Sequence, residues 1–289
     1  MIVDFLKSKL IELGLPAEQQ SRISSAPIHL NSAGFDPWGM DPETVKWGAA
    51  AVRWLYTHYF RVEVVGIENI PQGRVVLASN HSGQLPVDGL LIVLALLFEA
   101  NPSRIARAML ERWVPALPFI SSIFSRFGEV VGDPRNCREL LNNNEAVLVF
   151  PEGVRGLGKS IFKRYQLQKF GSGFVRLALE TRAPIVPIAV IGCEEAIPGL
   201  FNLKPLARLF GIPYFPITPF FPFFGPAGIL PLPTRVTIRF GKPIYFDTDP
   251  DAPDREIDRN VQQVMRGIET ELFEGLKHRK SAFFTGSGK

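Results

Sequence analysis

A histidine and an aspartate lie close together in the segment Asn80–Asp88, and these residue types support acid–base chemistry. The apolar run Arg74–Ser79 predicts a strand, and His81 follows it almost directly. Ligand sites of parallel α/β sheets lie outside the carboxyl ends of the strands. Gly83 allows the loop to fold back, so that Asp88 can meet one imidazole nitrogen and leave the other free for a proton. The segment predicts a general base, His81, oriented by Asp88; the alternative is a loop hydrogen bond without a catalytic role.

A second motif is the segment Gly153–Ser160, which matches the phosphate-loop pattern G-x-x-x-x-G-K-[S/T] and follows the apolar run Ala146–Phe150. In that motif backbone amides cradle phosphates, and a lysine, here Lys159, binds the terminal ones. Three features oppose it: Glu152 puts a carboxylate before the anion site, residues 161–170 lack an amphipathic helical pattern, and no later strand ends in a convincing magnesium-binding aspartate. Because the letters match in full, a nucleotide-hydrolysing enzyme stays an alternative despite these three features.

From residue 61 onwards, short apolar runs alternate with helical stretches. This order is typical of an α/β fold with a mostly parallel sheet flanked by helices. The predicted strands are Arg61–Ile67, Arg74–Ser79, Arg107–Leu110, Glu129–Gly132, Ala146–Phe150, Ile185–Ile191 and Val236–Phe246. The predicted helices of this part are Val87–Glu99, Leu117–Arg126, Cys137–Asn142 and Gly171–Thr181.

The first sixty residues predict helices joined by a stretch rich in proline and serine that runs to Gly39. Apolar residues recur at helical spacing in Ile2–Leu13, and Asp41 is a predicted N-cap for a helix that ends near Phe60. The aromatic residues of that second helix either pack on the main domain or lie among lipid headgroups. We predict a helical, membrane-apposed region at 1–60 and an α/β domain at 61–289.

Two segments in the last third of the chain also have distinctive compositions. Tyr214–Pro233 is rich in phenylalanine and proline, which excludes a regular helix or central strand. It predicts a lid, a membrane-contacting loop or an aromatic loop folded over the core. The apolar stripe of Ile257–Leu276 predicts a long helix docked on the core.

The composition excludes several classes of function. A net charge of +4 in 289 residues suits phosphates, coenzyme A or acidic lipid surfaces, whereas no dense Lys/Arg stretch indicates nucleic acid. Cys137 and Cys193 stand in no paired motif, so we expect no disulfide framework and a reducing compartment. None of the four histidines has a two-histidine metal spacing, so no metal or other cofactor is expected.

The apolar runs are also too short for a membrane-spanning helix, which needs about 20 apolar residues. The best run, Leu90–Phe98, is half that length, and the first residues lack the charged start and cleavage site of a secretory signal. The sequence does not indicate an oligomeric state.

Three segments together resemble the sequence blocks of the glycerolipid acyltransferase family, of the lysophosphatidic acid acyltransferase type. Phe150–Arg155 (FPEGVR) is similar to the family's F-P-E-G-T-R block, Asn80–Asp88 to its His…Asp block, and Ala183–Gly192 to its last block. Gly128–Arg135 occupies the place of the second block but matches it poorly. The blocks occur in the family's order across about residues 75 to 192.

The resemblance implies transfer of an acyl group from a coenzyme A or carrier-protein thioester to a glycerolipid hydroxyl, with the thioester as co-substrate. It implies that His81 deprotonates the hydroxyl, that Asp88 orients His81, and that Glu152, Gly153 and Arg155 shape the acceptor site. Lys159 is a further predicted anion contact. The partners would be a lipid acceptor, an acyl thioester and a membrane surface, which predicts a cytoplasmic protein that is peripheral on the inner face of a membrane.

The family pattern differs from this chain in two places. Six residues separate His81 from Asp88 where four are usual, so either a wider loop returns Asp88 to His81 or His81 acts without it. Val154 replaces a threonine. Because the second block is poor, the acceptor is either a lysophospholipid or a neutral lipid alcohol such as diacylglycerol. A noncatalytic lipid-binding protein of the same fold is the remaining alternative.

Overall fold

The strands predicted from the alternating pattern form one sheet. The structure is a computed structural model that describes residues 2–26, 28, 30–111, 113–114, 120–209, 211, 213–279 and 281–283. Within these residues the strands of the main sheet are β1 Glu63–Val65, β2 Val75–Ser79, β3 Ala106–Leu110, β4 Val130–Val131, β5 Ala146–Val149, β6 Ile185–Ile191 and β9 Thr237–Phe240. A separate antiparallel pair consists of β7 Phe201–Asn202 and β8 Pro216–Ile217.

The main sheet has the order β1-β9-β6-β2-β5-β3-β4, and neighbouring strands are parallel except for β6 and β9. This confirms the predicted fold class. Every residue of β2 and β6 is buried, because helices cover both faces of the sheet. Strand β2 pairs in parallel with β5, so the segments that follow these two strands leave the sheet side by side. The last strand is shorter than predicted and ends at Phe240, just before Gly241 and Pro243.

The helices lie on the two faces of this sheet. They are α1 Ile2–Gly14, α2 Ala17–Ser24, α3 Pro42–Trp54, α4 Val87–Phe98, α5 Ile120–Arg126, α6 Pro134–Asn142, α7 Val154–Leu157, α8 Gly173–Thr181, α9 Cys193–Ala196, α10 Lys204–Leu209 and α11 Asp254–His278. Buried residues of α3 and α4 form one apolar core with the sheet, and buried residues of α6, α8 and α11 form the other. The predicted docking of the long C-terminal helix is confirmed by its buried stripe Ile257, Val261, Val264, Ile268 and Leu272.

The amino-terminal region packs on the first of these cores. Asp41 caps α3 as predicted, since its carboxylate accepts the amide hydrogen of Glu43. A π-helical turn, Leu55–Tyr59, continues α3. Leu15, Ile23 and Val45 are buried together with residues of α4. The division at residue 60 stays a prediction, because the same core includes residues from both sides of it.

Two predictions need correction, and a third falls partly outside the described residues. Helix α2 lies in the stretch that the sequence predicts as a loop; it buries only Ile23, so its apolar periodicity is weak. Helix α6 begins at Pro134 rather than Cys137, because the Asp133 carboxylate accepts the Arg135 amide hydrogen and caps it. Helix α5 begins at Ile120, and the predicted residues 117–119 lie outside the described part of the chain.

None of the helices in the described ranges combines the length and apolarity that a bilayer-crossing helix requires.

Candidate active site

The loop after β2 places His81 at the carboxyl edge of the sheet. Asn80, immediately before it, is fully buried and binds β6 in both directions: its amide donates to the Val190 carbonyl (3.1 Å) and accepts the Val190 amide hydrogen (2.8 Å). Gly83 has φ of +79°, which lets the loop turn back towards α4. The side chain of Asn80 thus anchors the loop that carries His81 to β6.

The imidazole of His81 is held by Asp88. The distance from His81 Nδ1 to Asp88 Oδ2 is 2.8 Å, so the six-residue interval does return the carboxylate to the histidine. The Ser82 amide (2.7 Å) and the Ser82 hydroxyl (3.4 Å) also donate to Oδ2, and the Gly89 amide donates to Oδ1 (2.8 Å). Asp88 lies in the first turn of α4 and is fully buried. Nε2 of His81 has no hydrogen-bond partner among the described residues.

The backbone amide of His81 binds a buried cluster of charged side chains formed by Glu152, Lys159 and Glu194. Glu152, which follows β5, accepts the His81 amide hydrogen with Oε1 (2.9 Å) and the Gln168 amide hydrogen with Oε2 (2.8 Å). The Lys159 ammonium lies 3.5 Å from Glu152 and 3.0 Å from Glu194. Burial raises the pKa of Glu194, and the charge of Lys159 opposes that rise. This cluster connects the segment after β5 to the histidine loop.

Two close contacts fix the ring of His81 against the segment after β5. The Phe150 ring stacks on the imidazole with centroids 4.0 Å apart and planes 18° apart. A Cβ atom at Gly156 would lie 2.7 Å from the Cβ of His81 and 2.9 Å from that of Glu152. Only glycine allows this approach, at a position where the phosphate-loop pattern accepts any residue.

A pocket of about 300 Å³ opens beside His81. Its walls come from the carboxyl ends of β3 and β5 and from Gly132, and they combine polar and apolar groups. The residues that line it are His81, Met109, Leu110, Glu111, Gly132, Val149, Phe150 and Gly153. Glu111 is the charged residue of this set. Neither its type nor its spacing marks it in the sequence, because its place in the site depends on how β3 pairs with β5.

The predicted acceptor-site residues divide into two groups. Gly153 lines the pocket, whereas the carboxylate of Glu152 and the ammonium of Lys159 are buried and pair with each other behind His81. Arg155 is exposed and donates to the carbonyl of Lys169 (3.0 Å). The structure therefore brings His81, Asp88, Glu152 and Gly153 together. Arg155 and Lys159 do not line the pocket beside His81.

The phosphate-loop hypothesis does not fit this geometry. A phosphate loop should lead directly into a helix, but the segment forms only the four residues of α7 and then a short 3₁₀ turn, Ile161–Lys163. The ammonium of Lys159, which would have to bind phosphate, is buried between two carboxylates. The segment matches the phosphate-loop pattern in its letters, but its Lys159 pairs with Glu152, which binds the backbone of His81.

The nearby thiol and phenol groups remain protonated at neutral pH. Burial raises the pKa of the Cys193 thiol well above its ordinary value, and Asp88 adds to the rise. Burial, with a contribution from Asp88, also raises the pKa of Tyr214, whose hydroxyl donates to the Gln84 carbonyl (2.8 Å). Since the thiolate is the reactive form of cysteine, Cys193 is not suited to act as a nucleophile.

Known proteins resemble this chain both in sequence and in fold. The family model described as Acyltransferase matches residues 61–191. An uncharacterised protein of Mycobacterium tuberculosis is 42% identical over 259 residues, which cover 86% of this chain and 71% of that protein. The "DGAT1/2-independent enzyme synthesizing storage lipids" of Mus musculus is 23% identical over 64% of this chain and 53% of that protein.

A solved structure shares the fold. The crystal structure of the 1-acyl-sn-glycerophosphate (LPA) acyltransferase from Thermotoga maritima aligns with a TM-score of 0.50 and 20% identity, over 83% of this chain and 80% of that one. The residues that the family model matches include the His81 loop, the segment after β5, and β6, which lies in the last of the three sequence blocks. This confirms the family predicted from the sequence blocks: the chain belongs to the acyltransferase family.

Proposed function

We propose that this protein transfers a fatty acyl group from an acyl thioester, of coenzyme A or a carrier protein, to a hydroxyl group of a glycerolipid. The observation that carries the proposal is the pair formed by His81 and Asp88 at the edge of the pocket. Asp88 binds Nδ1, which leaves Nε2 as the nitrogen that can accept a proton. A thioester is already activated, so a base, oxyanion support and positioning are the main requirements for its reaction with an alcohol.

The proposed reaction runs in two steps. Nε2 of His81 takes the proton of the acceptor hydroxyl while the hydroxyl oxygen attacks the thioester carbonyl, which gives a tetrahedral oxyanion. The intermediate then collapses: the carbon–sulfur bond breaks, the ester forms, and the leaving thiolate takes the proton from His81. The buried Asp88 carboxylate stabilises the imidazolium between these steps.

Within the glycerolipids, the pocket favours an uncharged acceptor over a lysophospholipid with a terminal phosphate. Glu111 contributes a carboxylate to the pocket, and none of the described lining residues is a lysine or arginine. Like charges repel, so a phosphate monoester beside Glu111 would bind weakly, whereas a monoacylglycerol or diacylglycerol brings no charge. Arg155, a predicted acceptor-site residue, is exposed and donates to the Lys169 carbonyl outside this pocket.

The test is an acceptor panel with acyl-CoA as donor and no ATP. Thiol release is followed, and ester products are identified by mass spectrometry for monoacylglycerol, diacylglycerol and lysophosphatidic acid. We expect ester formation, with the neutral acceptors preferred. ATP hydrolysis without ester would contradict acyl transfer and restore the nucleotide hypothesis, and vesicle binding without turnover would indicate a noncatalytic lipid-binding protein.

Replacing Glu111 with glutamine should shift the acceptor preference. Loss of the negative charge should raise the kcat/KM for lysophosphatidic acid about fivefold relative to that for diacylglycerol, which is about 1 kcal/mol of differential binding. The same substitution at the exposed Glu139, on α6, provides the control and should leave the ratio unchanged. An unchanged ratio in Glu111→Gln would remove the reason for preferring a neutral acceptor.

Replacing Asp88 with asparagine should lower kcat about 10- to 100-fold while the protein stays folded, within the range of general-base effects. Both oxygens of Asp88 accept hydrogen bonds from N–H groups, so an amide must turn its NH₂ towards one of these donors. This disturbs either the tautomer of His81 or the first turn of α4. The same substitution at Asp41, the cap of α3, is the control, because asparagine caps helices equally well. Full activity in Asp88→Asn would show that His81 acts without this partner.

We also propose that the protein attaches peripherally to a membrane surface through exposed aromatic residues. Phe220, Phe223, Phe224 and Leu230 are exposed on the segment between β8 and β9, and Trp54 is exposed at the end of α3. The Tyr59 hydroxyl donates to the Pro231 carbonyl (2.6 Å) and its ring lies 5.9 Å from that of Trp54, which joins these two regions. Exposed aromatic groups of this kind suit the headgroup layer of a bilayer.

The double substitution Phe223→Asp/Phe224→Asp should reduce binding to vesicles of phosphatidylcholine and phosphatidylglycerol at least tenfold. Removing two inserted aromatic side chains costs more than about 1.4 kcal/mol. Co-sedimentation with vesicles measures the loss. Phe273→Asp, at an exposed position of α11, is the control and should bind normally. Equal losses in both variants, or no loss, would contradict this surface, and activity on a water-soluble short-chain acceptor should be unchanged throughout.

A further inference from the structure

Two stretches of the chain carry positive charges and no acidic residue. Residues 153–179 contain six lysines and arginines, residues 196–234 contain Lys204 and Arg208, and neither stretch contains an aspartate or a glutamate. The two glutamates that directly precede the second stretch are already paired: Glu194 with Lys159 (3.0 Å) and Glu195 with Arg279 (2.8 Å). Their charges therefore do little to offset those of the exposed cations.

Exposed residues of these two stretches form one surface, which we call the cationic surface. It combines a 3₁₀ turn and the residue after it with exposed residues of β7 and α10: Phe162, Lys163, Arg164, Phe201, Lys204, Arg208 and Leu209. The Ile161 amide donates to the Gly199 carbonyl (2.7 Å), which holds the turn next to the start of β7. The side chains of the four cations make no hydrogen bond or ion pair with any described residue, so they are available to a ligand.

The cationic surface lies beside the loop that carries His81. Tyr214, just before β8, donates its hydroxyl hydrogen to the Gln84 carbonyl (2.8 Å), and β8 pairs with β7. The side-chain amide of Gln84 donates to the carbonyl of Lys159 (2.7 Å), just before the 3₁₀ turn. Both parts of the surface are thus attached to the histidine loop, and a partner bound there is held next to the pocket.

Charge and apolar character together select the kind of partner. Phe162, Phe201 and Leu209 are 77%, 58% and 75% exposed among the four cations. Exposed cations alone would suit any polyanion, but large exposed apolar side chains beside them suit a layer in which charged headgroups cover acyl chains. Phe223 and Phe224 extend the same apolar character into the segment after β8. This combination fits an anionic bilayer better than an acidic protein.

We propose that the cationic surface binds the anionic phospholipid headgroups of a membrane and so holds the bilayer against the histidine loop. The proposal rests on the membrane attachment proposed above, and it adds the class of lipid and a second set of contacts. Because neither stretch of chain contains an acidic residue, anionic headgroups meet no repulsion from them. The bilayer is then a source of acceptor lipid directly beside the pocket of His81.

The test compares co-sedimentation with two kinds of vesicle, one of phosphatidylcholine alone and one of phosphatidylcholine and phosphatidylglycerol in equal parts. Each cation near an anionic bilayer contributes about fivefold in affinity, so wild-type protein should bind the mixed vesicles more than about 25-fold more tightly. In about 1 M salt, where the Debye length is about 3 Å, this preference should largely disappear.

Two double substitutions with the same change in net charge locate the effect. Lys204→Gln/Arg208→Gln should lower the preference for the mixed vesicles about 25-fold and leave binding to phosphatidylcholine unchanged. Arg255→Gln/Arg259→Gln is the matched control: both arginines are exposed on α11 at the same spacing, without an ion pair to any described residue. It should bind both vesicles like wild type. Melting temperatures show that the variants are folded.

The outcomes separate this proposal from the attachment on which it rests. If wild-type protein binds neither vesicle, the membrane attachment fails and this proposal fails with it. If it binds both vesicles equally, the aromatic attachment stands and the preference for anionic lipid is wrong. Equal losses in the two double variants would assign the effect to net charge instead of this surface. Unchanged vesicle binding in Lys204→Gln/Arg208→Gln, with a raised KM for acyl carrier protein but not for acyl-CoA, would assign the surface to an acidic protein.

Discussion

Replacing His81 with alanine should lower the turnover number about 1,000-fold, because a general base typically contributes about 10² to 10⁴ in rate. The reason is geometric: Nδ1 is bound to Asp88, which leaves Nε2, without a hydrogen-bond partner among the described residues, to take a proton in the pocket that His81 lines. The Michaelis constant should change little, since the proton transfer stabilises the transition state rather than the bound substrate. Initial rates of thiol release, measured with the best acceptor of the panel, provide the test.

The matched control is His58→Ala. His58 is exposed at the end of the amino-terminal helices, where it stacks on Trp54 and bonds to Thr57, so its loss should leave turnover unchanged. Because the His81 ring also stacks on Phe150, melting temperatures of both variants show whether packing was lost as well. Undiminished turnover in a folded His81→Ala protein would end the assignment of His81 as the base.

The sequence predicts a site residue well when that residue comes directly after a predicted strand. His81 and Glu152 follow β2 and β5, two strands that the sequence predicts, and parallel pairing then brings the two residues together. The sequence leaves the partnership with Asp88 open, because it depends on the path of the loop. Gly83 indicates that the loop can turn, but its direction is fixed by the bonds between Asn80 and Val190, which no residue pattern shows.

Lys159 shows why a short pattern can predict the wrong role. Its letters fit a phosphate loop, but the partner that defines its role, Glu194, follows β6 and is 35 residues away along the chain. Only the folded sheet shows that the ammonium faces two carboxylates instead of a ligand. Glu111 is the opposite case: it has no motif, yet it lies in the pocket because β3 ends there.

The fold is held together at the start of β3 by a buried arginine that no sequence pattern marks. Arg107 is fully buried, and its guanidinium binds the carboxylates of Asp36 and Glu145 and the carbonyl of Gly128 (3.2 Å). Asp36 in turn accepts the amide hydrogens of Trp38 (2.9 Å) and Met40 (2.6 Å). The cluster therefore fixes the connection between α2 and α3 to the sheet, through contacts that join residues 71 positions apart.

Replacing Arg107 with methionine should lower the free energy of unfolding by about 3–5 kcal/mol, because Asp36 is left as a buried carboxylate without its counter-charge. With an unfolding entropy of about 2.1 cal/mol/K per residue, this corresponds to a fall in melting temperature of roughly 5–8 °C. The matched control is Arg138→Met, which breaks the exposed pair with Glu180 and should cost less than about 1 kcal/mol.

A second substitution separates the charge effect from lost packing. In the Arg107→Met background, Asp36→Asn removes the unpaired charge, yet the side-chain oxygen can still accept the Trp38 and Met40 amide hydrogens. The double variant should therefore melt at a higher temperature than Arg107→Met alone. If it melts at the same temperature, or if Arg107→Met is no less stable than Arg138→Met, the buried ion pair does not hold the amino-terminal connection to the sheet. A recovered melting temperature would instead show that the residues before α3 depend on charge compensation at β3, in addition to the apolar contacts that α3 makes with the core.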